Sequence, residues 1–302
     1  MNILMERYHD FCEYYQYKTL PEHHFYIPRG FYPPKGRPIC SNTTYLFMDD
    51  VPWHKIDLGI ATTIGRVESY KELKVPFVFH IDQMPQPLDG VKETRVCVGN
   101  APTLYWSEEE ADAWKVGTPI VRPHPIDTKV FKGYNPTKKM AITIATRAIS
   151  GWGPSLKGHN ILKKAYHELP IQVVARDDKD YPNAIAIWSE EEMVEALQTH
   201  QVYFNAGWKI DRSPLEAMGC GMPVIAIRTP QNVYKKYFNE EAGNIVYSKD
   251  TEDMIQKAKE LLDDPERCCE IGRKAKETIE KYWNPELSRA GWNKAFDLAL
   301  NP

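Results

Sequence analysis

No stretch of this chain is long and apolar enough to suit a bilayer. Its apolar runs are short, such as "MPVIAI", whereas a membrane helix needs roughly 18 or more apolar residues. The start, "MNILMERYHD", lacks a basic segment followed by an apolar one, so no signal peptide is expected. CxxC spacing is missing among the six cysteines. Cys268 and Cys269 are adjacent in a helical pattern, which sets them against pairing with each other. Such cysteine usage fits a reducing, cytoplasmic setting. There is no excess of one charge either. The net charge is -3, so no global positive field draws the chain to nucleic acid or anionic lipid. Low-complexity tails and long repeats are absent as well.

What is present is a regular alternation of short apolar runs and amphipathic segments. A length of 302 residues, 42% of them hydrophobic, suggests about two domains. "MNILM", "HHFYI", "TYLFM", "DLGIAT" and "VPFVFHI" read as strands, separated by Pro/Gly clusters such as "IPRGFYPPKGRP". "TLYW" leads into "SEEEADAWK", where Ser107 and Glu110 have capping-box spacing. Pro123 and Pro125 in "TPIVRPHPID" stop any helix there and suit a stiff connector. The expected domains are therefore 1–125 and 126–302, with the last helix, 285–300, placed to pack back on the first. After the connector, "KKMAITIATR", "IQVVA", "AIAIW", "VYFNA" and "NIVY" read as strands. Helices alternate with them, one of which has Ser189 and Glu192 in capping-box spacing. From Thr251 onward the pattern is helical. Strand, helix, strand, repeated, implies parallel sheets with helices on both faces.

The segment "DRSPLEAMGCGMPVIA" (211–226) raises a choice. Ser213 reads as an N-cap, Pro214 as the first helical residue and Glu216 as its capping-box partner. On that reading nothing is bound. The same geometry also makes an anion site, because a helix start aims backbone amides outward. Asp211, Arg212, Ser213, Pro214 and Leu215 would then line a phosphate turn, and Glu216 would accept hydrogen bonds from vicinal hydroxyls. Arg147, at the end of "AITIATR", and Lys157, in "GWGPSLKGHN", come from the crevice side of the same sheet. With the helix start they could clamp a diphosphate.

"SPLEAMGCGMPVIA" resembles the donor-site motif of glycosyltransferase family 4, the retaining GT-B enzymes. "ATRAISGWGPSLKGHN" resembles that family's strand–Arg–loop–Lys-Gly–helix segment, and "VRPHPIDTKVF" its interdomain linker. "AGNIVYSKDTEDMIQKAKELLDDPERCCEIGRKA" resembles its C-terminal helical stretch. The likeness covers residues 120–285 well and the first 119 loosely. It implies an α/β GT-B fold: two Rossmann-like doubly wound domains facing a central cleft, with a helical C-terminus.

By that resemblance, Arg147 and Lys157 hold the donor diphosphate, and Glu216 is the second Glu of a Glu-x7-Glu motif that binds the ribose. The turn around Arg212–Leu215 takes the phosphate and sugar. Ile187 and Trp188 match the edge that receives the base, though Trp188 reads equally as a core residue. His80, in "VPFVFHID", resembles a strand-end histidine that faces the donor sugar; by itself it also reads as structural. Trp208 stands where the motif has its first Glu, and "MERYHDF" replaces the usual glycine pair after the first strand. The implied reaction moves a sugar from a UDP- or GDP-linked donor to an acceptor hydroxyl with retention, without a cofactor or metal. Three rivals remain. One is a nucleotide-sugar binding protein without turnover. Another is a DNA-base glucosyltransferase, which the net charge disfavours. The third is a metal-dependent site at Asp178 and Asp180, in the manner of the GT-A fold. The adjacent His23 and His24 are weak metal candidates. The sequence does not identify the acceptor or the oligomeric state.

Overall fold

The computed structural model describes residues 1–5, 10–28, 39–81, 90–144, 158–175, 181–187, 189–207, 209–229 and 234–302. They form two compact units, Met1–Pro125 with Asn284–Pro302, and Ile126–Trp283.

The first unit is built on seven strands: β1 (Asn2–Met5), β2 (His24–Pro28), β3 (Thr43–Leu46), β4 (Leu58–Ala61), β5 (Phe77–His80), β6 (Pro102–Tyr105) and β7 (Thr118–Val121). They pair in parallel in the order β3-β2-β1-β4-β5-β6-β7. Alternation along each strand sorts side chains between two faces. Ile3, Met5, Leu58, Ile60, Val78 and Leu104 share one core with Tyr17 of α1 (Asp10–Thr19) and Trp292 and Phe296 of α10 (Pro285–Leu300). Leu4, Ala61, Phe79 and Tyr105 share the other. That second core takes Val67 and Tyr70 of α2 (Ile64–Glu72), Val98 of α3 (Val91–Val98) and Trp114 of α4 (Glu108–Trp114). The chain thus leaves for the second unit and returns as α10 to close the first unit's sheet.

The second unit has five parallel strands: β8 (Lys138–Ile144), β9 (Ile171–Val174), β10 (His200–Asn205), β11 (Val224–Ile227) and β12 (Val246–Ser248). Their order is β12-β11-β10-β8-β9. Helices α5 (His159–Glu168) and α8 (Thr251–Asp263) pack through Leu162, Ala165, Met254, Ile255 and Ala258 onto the face carrying Ala141, Val173, Val202, Phe204 and Ile225. Helices α6 (Glu190–Thr199) and α7 (Arg212–Cys220) pack against β10, and α9 (Pro265–Tyr282) packs against α7. Both units are doubly wound α/β sheets, and the C-terminus is helical.

Three local expectations need correction. "AIAIW" is no strand: it makes a single bridge, Val174 with Ile185, because the run is too short and too exposed to extend a ladder. Ser107 caps Glu110 as expected, but the Glu110 carboxylate accepts from the amide of Trp106 and not from that of Ser107. Among the described residues, both arms of a capping box are made at Ser189 and Glu192. The third correction concerns α7 and follows below.

Glycine lets α7 and α9 approach. A Cβ on Gly272 would lie 1.8 Å from the Gly221 carbonyl oxygen, which is backbone and has no room to yield. By contrast, a Cβ on Gly65 in α2 would meet nothing within 4 Å. We expect Gly272→Ala to destabilise the protein by about 1–3 kcal/mol in urea unfolding. Gly65→Ala should be neutral or stabilising by up to about 1 kcal/mol. Equal effects of the two would count against the close approach.

Candidate active site

In an open parallel sheet, ligands bind beyond the carboxyl ends of the strands, where the strand order reverses. In the second unit that reversal lies between β8 and β10, since β8 starts the series and has β9 on its other side. β8 ends at Ile144 and α5 begins at His159, while β10 ends at Asn205 and α7 begins at Arg212. The topology therefore puts the ends of β8 and β10 side by side at the reversal. Arg147, Lys157, Trp188 and Trp208 lie outside the described residues, as do Asp178 and Asp180. Ile187 is described: it is half-buried in a segment without regular structure.

Gly158 stands against Ala206 here. Its φ is +66°, a left-handed conformation that starts α5, and a Cβ there would fall 1.7 Å from the carbonyl oxygen of Ala206. Only glycine lets the backbone after Lys157 approach that of Ala206 so closely. On the Ala206 side, Asn205 Nδ2 donates to the Lys209 carbonyl at 3.1 Å and shapes the turn into α7.

α7 starts two residues earlier than its sequence suggests. Asp211, not Ser213, is the N-cap, and it makes no side-chain cap bond. The Ser213 hydroxyl is engaged elsewhere: it bonds the phenol of Tyr203, which also bonds the Ile144 backbone. Tyr203 thus ties the end of β8 to the first turn of α7. Burial, then the nearby Asp211 carboxylate, push its pKa well above the ordinary phenol value, so the hydroxyl stays protonated. Leu215 and Pro214 are buried.

Glu216 is not the capping-box partner either. It is buried, at 4% exposure, and its Oε1 accepts from Arg212 Nε at 2.7 Å, one turn back. This pair explains the carboxylate's position without a cap: Arg212 holds it at a set angle. The charge of Glu216 is felt nearby, since Cys220 is pushed up to about 12, by burial first and Glu216 second.

His80 belongs to the first unit. It ends β5, points to the α10 face and is 3% exposed. Its Nε2 lies 2.8 Å from Arg122 Nη2. Arg122, fully buried, stacks its guanidinium over Trp106 at 3.8 Å and Trp292 at 4.6 Å. His124 lies flat on Trp106, 3.5 Å between ring centroids. The sequence reading passed over Arg122, since an arginine in a proline-rich connector looks solvated. Tyr203 was likewise passed over as strand filler. The one available signal for Arg122 was the density of Trp and His around it in the chain.

The comparisons with known proteins bear on the fold and on the sequence of the second unit. Residues 150–287 match the family model described as glycosyl transferase-like. No curated protein sequence matches the chain. Among solved structures, HepE from Anabaena in complex with UDP-glucose superposes with a TM-score of 0.73 at 13% identity, over 99% of this chain and 100% of that one. Sucrose-phosphate synthase from Thermosynechococcus elongatus gives 0.75 at 11% identity, over 98% of both chains. A glycosyltransferase from Rickettsia africae gives 0.71 at 12% identity, over 99% and 98%. The class is thus defined: by fold the chain is a GT-B protein. Its segment 150–287 is similar to glycosyl transferases in sequence as well.

The buried histidine generates a pH prediction. Burial, and then the Arg122 charge, hold His80 well below the ordinary imidazole value of 6.5. The unfolded chain therefore takes up this proton first. The stabilisation is complete above about pH 6.5 and fades as pH falls below it, by up to about 1.4 kcal/mol per unit. Between pH 7.5 and 5.5, unfolding free energy should drop by about 1 kcal/mol more in the wild type than in His80→Gln. Matching slopes in chemical denaturation at the two pH values would contradict this assignment.

Proposed function

We propose that this protein is a retaining glycosyltransferase of the family 4 type, which moves a sugar from a nucleoside diphosphate sugar to an acceptor hydroxyl. The observation that carries the reading is the strand reversal between β8 and β10, where Gly158, at the start of α5, stands against Ala206, at the end of β10. UDP is the favoured carrier, since the similar HepE structures hold UDP and UDP-glucose.

In this reading Arg147, Lys157 and the α7 start receive the diphosphate. A helix start supplies amides and a partial positive charge, and two cations supply the rest. Loss of the diphosphate is the demanding step, so stabilising charge on the leaving oxygen is the main catalytic effect. The departing phosphate takes the acceptor's proton. Glu216, oriented by Arg212, accepts from the ribose hydroxyls, and Asp211 to Leu215 line the turn. Ile187 and Trp188 flank the base. No metal or cofactor is needed. We place it in the reducing cytoplasm on the cysteine spacing of the sequence.

A second reading, binding without turnover, draws on the Arg212–Glu216 pair and on Trp208 in place of the first motif Glu. Isothermal calorimetry with UDP and GDP, run beside a donor-hydrolysis assay, separates the two. Saturable UDP binding with no turnover under any acceptor would favour the second. Lys157→Ala should cost about 10²–10³ in turnover with an unchanged melting temperature; undiminished turnover would refute the clamp. Transfer should persist in EDTA, and its loss there, restored by a divalent ion, would move the site toward Asp178 and Asp180. Proton NMR of the product's anomeric signal checks retention.

A further inference from the structure

The start of α7 is held by a partner outside the helix. Asp211, its N-cap, makes no side-chain cap bond. Pro214, third in the helix, has no N–H. The amides of the first three residues are therefore those of Arg212 and Ser213, and amides at a helix start point out of it. A serine hydroxyl in such a turn can bond its own backbone; that of Ser213 bonds the phenol of Tyr203. Tyr203 has no freedom to follow a moving helix. It is 2% exposed and sits in β10, opposite Ile142 of β8 on one side and Val224 of β11 on the other. Its amide donates to the Pro223 carbonyl at 2.9 Å. Its phenol also bonds the backbone of Ile144, the last residue of β8. One buried hydroxyl thus sets Ser213 against a fixed strand end.

We infer that Tyr203 is a positioning residue of the donor site: by holding the Ser213 hydroxyl inward it fixes the first turn of α7, so that a nucleoside diphosphate is met there by main-chain amides and not by the serine side chain. This rests on the reading that α7 receives the diphosphate. The chemistry suits that task. A hydroxyl rotates and can present a lone pair to a phosphate oxygen, which repels it, whereas an amide N–H only donates. Committing the hydroxyl to Tyr203 removes that choice. The tether also fixes the very residue whose amide faces out of the helix, and a helix start recognises phosphate through such amides.

The test is isothermal calorimetry with UDP and with uridine on the full chain, as wild type, Tyr203→Phe, Ser213→Ala and the double variant. Tyr203→Phe removes only the hydroxyl. It should weaken UDP roughly tenfold, as loss of one charge-assisted hydrogen bond does, while uridine, which has no phosphate, moves by less than about twofold. Ser213→Ala should do the same, and the double variant should bind no more weakly than either single one, since both cut one link. Unchanged UDP affinity in a folded Tyr203→Phe overturns the inference, as do additive losses or an equal loss for uridine. A second measurement needs no change at Tyr203: the NMR shift of tyrosine ¹³C-labelled at Cζ, placed at position 203 alone. The shift should move on Ser213→Ala and hold still when UDP binds the wild type. A move on UDP binding as large as that caused by Ser213→Ala means that the hydroxyl has turned to the ligand, which overturns the inference whether or not Tyr203→Phe folds. A wild type that binds no nucleoside diphosphate sinks the donor reading and the inference with it; the other failures sink the inference alone.

Discussion

The close approach of Gly158 to the Ala206 carbonyl is the constraint on which the second unit's site depends. Two loops leave neighbouring strands at the point where the sheet reverses its order, and a backbone without a side chain lets them touch. The Tyr203 phenol reinforces this from below by linking the end of β8 to the first turn of α7. Any anion received there would be met by groups from three elements whose spacing is set by backbone contact and one buried hydroxyl. Loops hung on a rigid scaffold in this way can carry chemistry without carrying stability.

The two buried cations described here solve the same problem differently. Arg212 is compensated by a carboxylate one helical turn away. Arg122 is met by aromatic faces and a neutral imidazole. Burying a charge is expensive without such partners, so each arrangement commits its neighbours. Glu216 is drawn to Arg212, and His80 is kept from accepting a proton.

Much of the fold was legible because parallel strands buried on both faces write themselves as short apolar runs, and "MNILM", "VPFVFHI" and "IQVVA" are such runs. Capping chemistry placed the start of α6 at Ser189 correctly. It failed at α7, where Ser213 has the residue type of a cap but spends its hydroxyl on Tyr203, a partner far away in sequence. "AIAIW" failed for a related reason: alternation marks a willing strand, not one with a neighbour. Arg122 and Tyr203 were invisible because their meaning lies in what surrounds them. Long-range contacts, not local pattern, make one a buried cation and the other a strut.

The return of the chain as α10 has a consequence for how the molecule is made. The first unit needs Trp292 to sandwich Arg122 and Phe296 to fill its core, yet these residues follow the whole of the second unit in the chain. Ile126–Trp283 is continuous and can acquire its structure as it is made, whereas the amino-terminal sheet must wait with one face uncovered until α10 has been made. Nascent chains are thus expected to mature from the middle outward, and that waiting face is the surface on which chaperones would act.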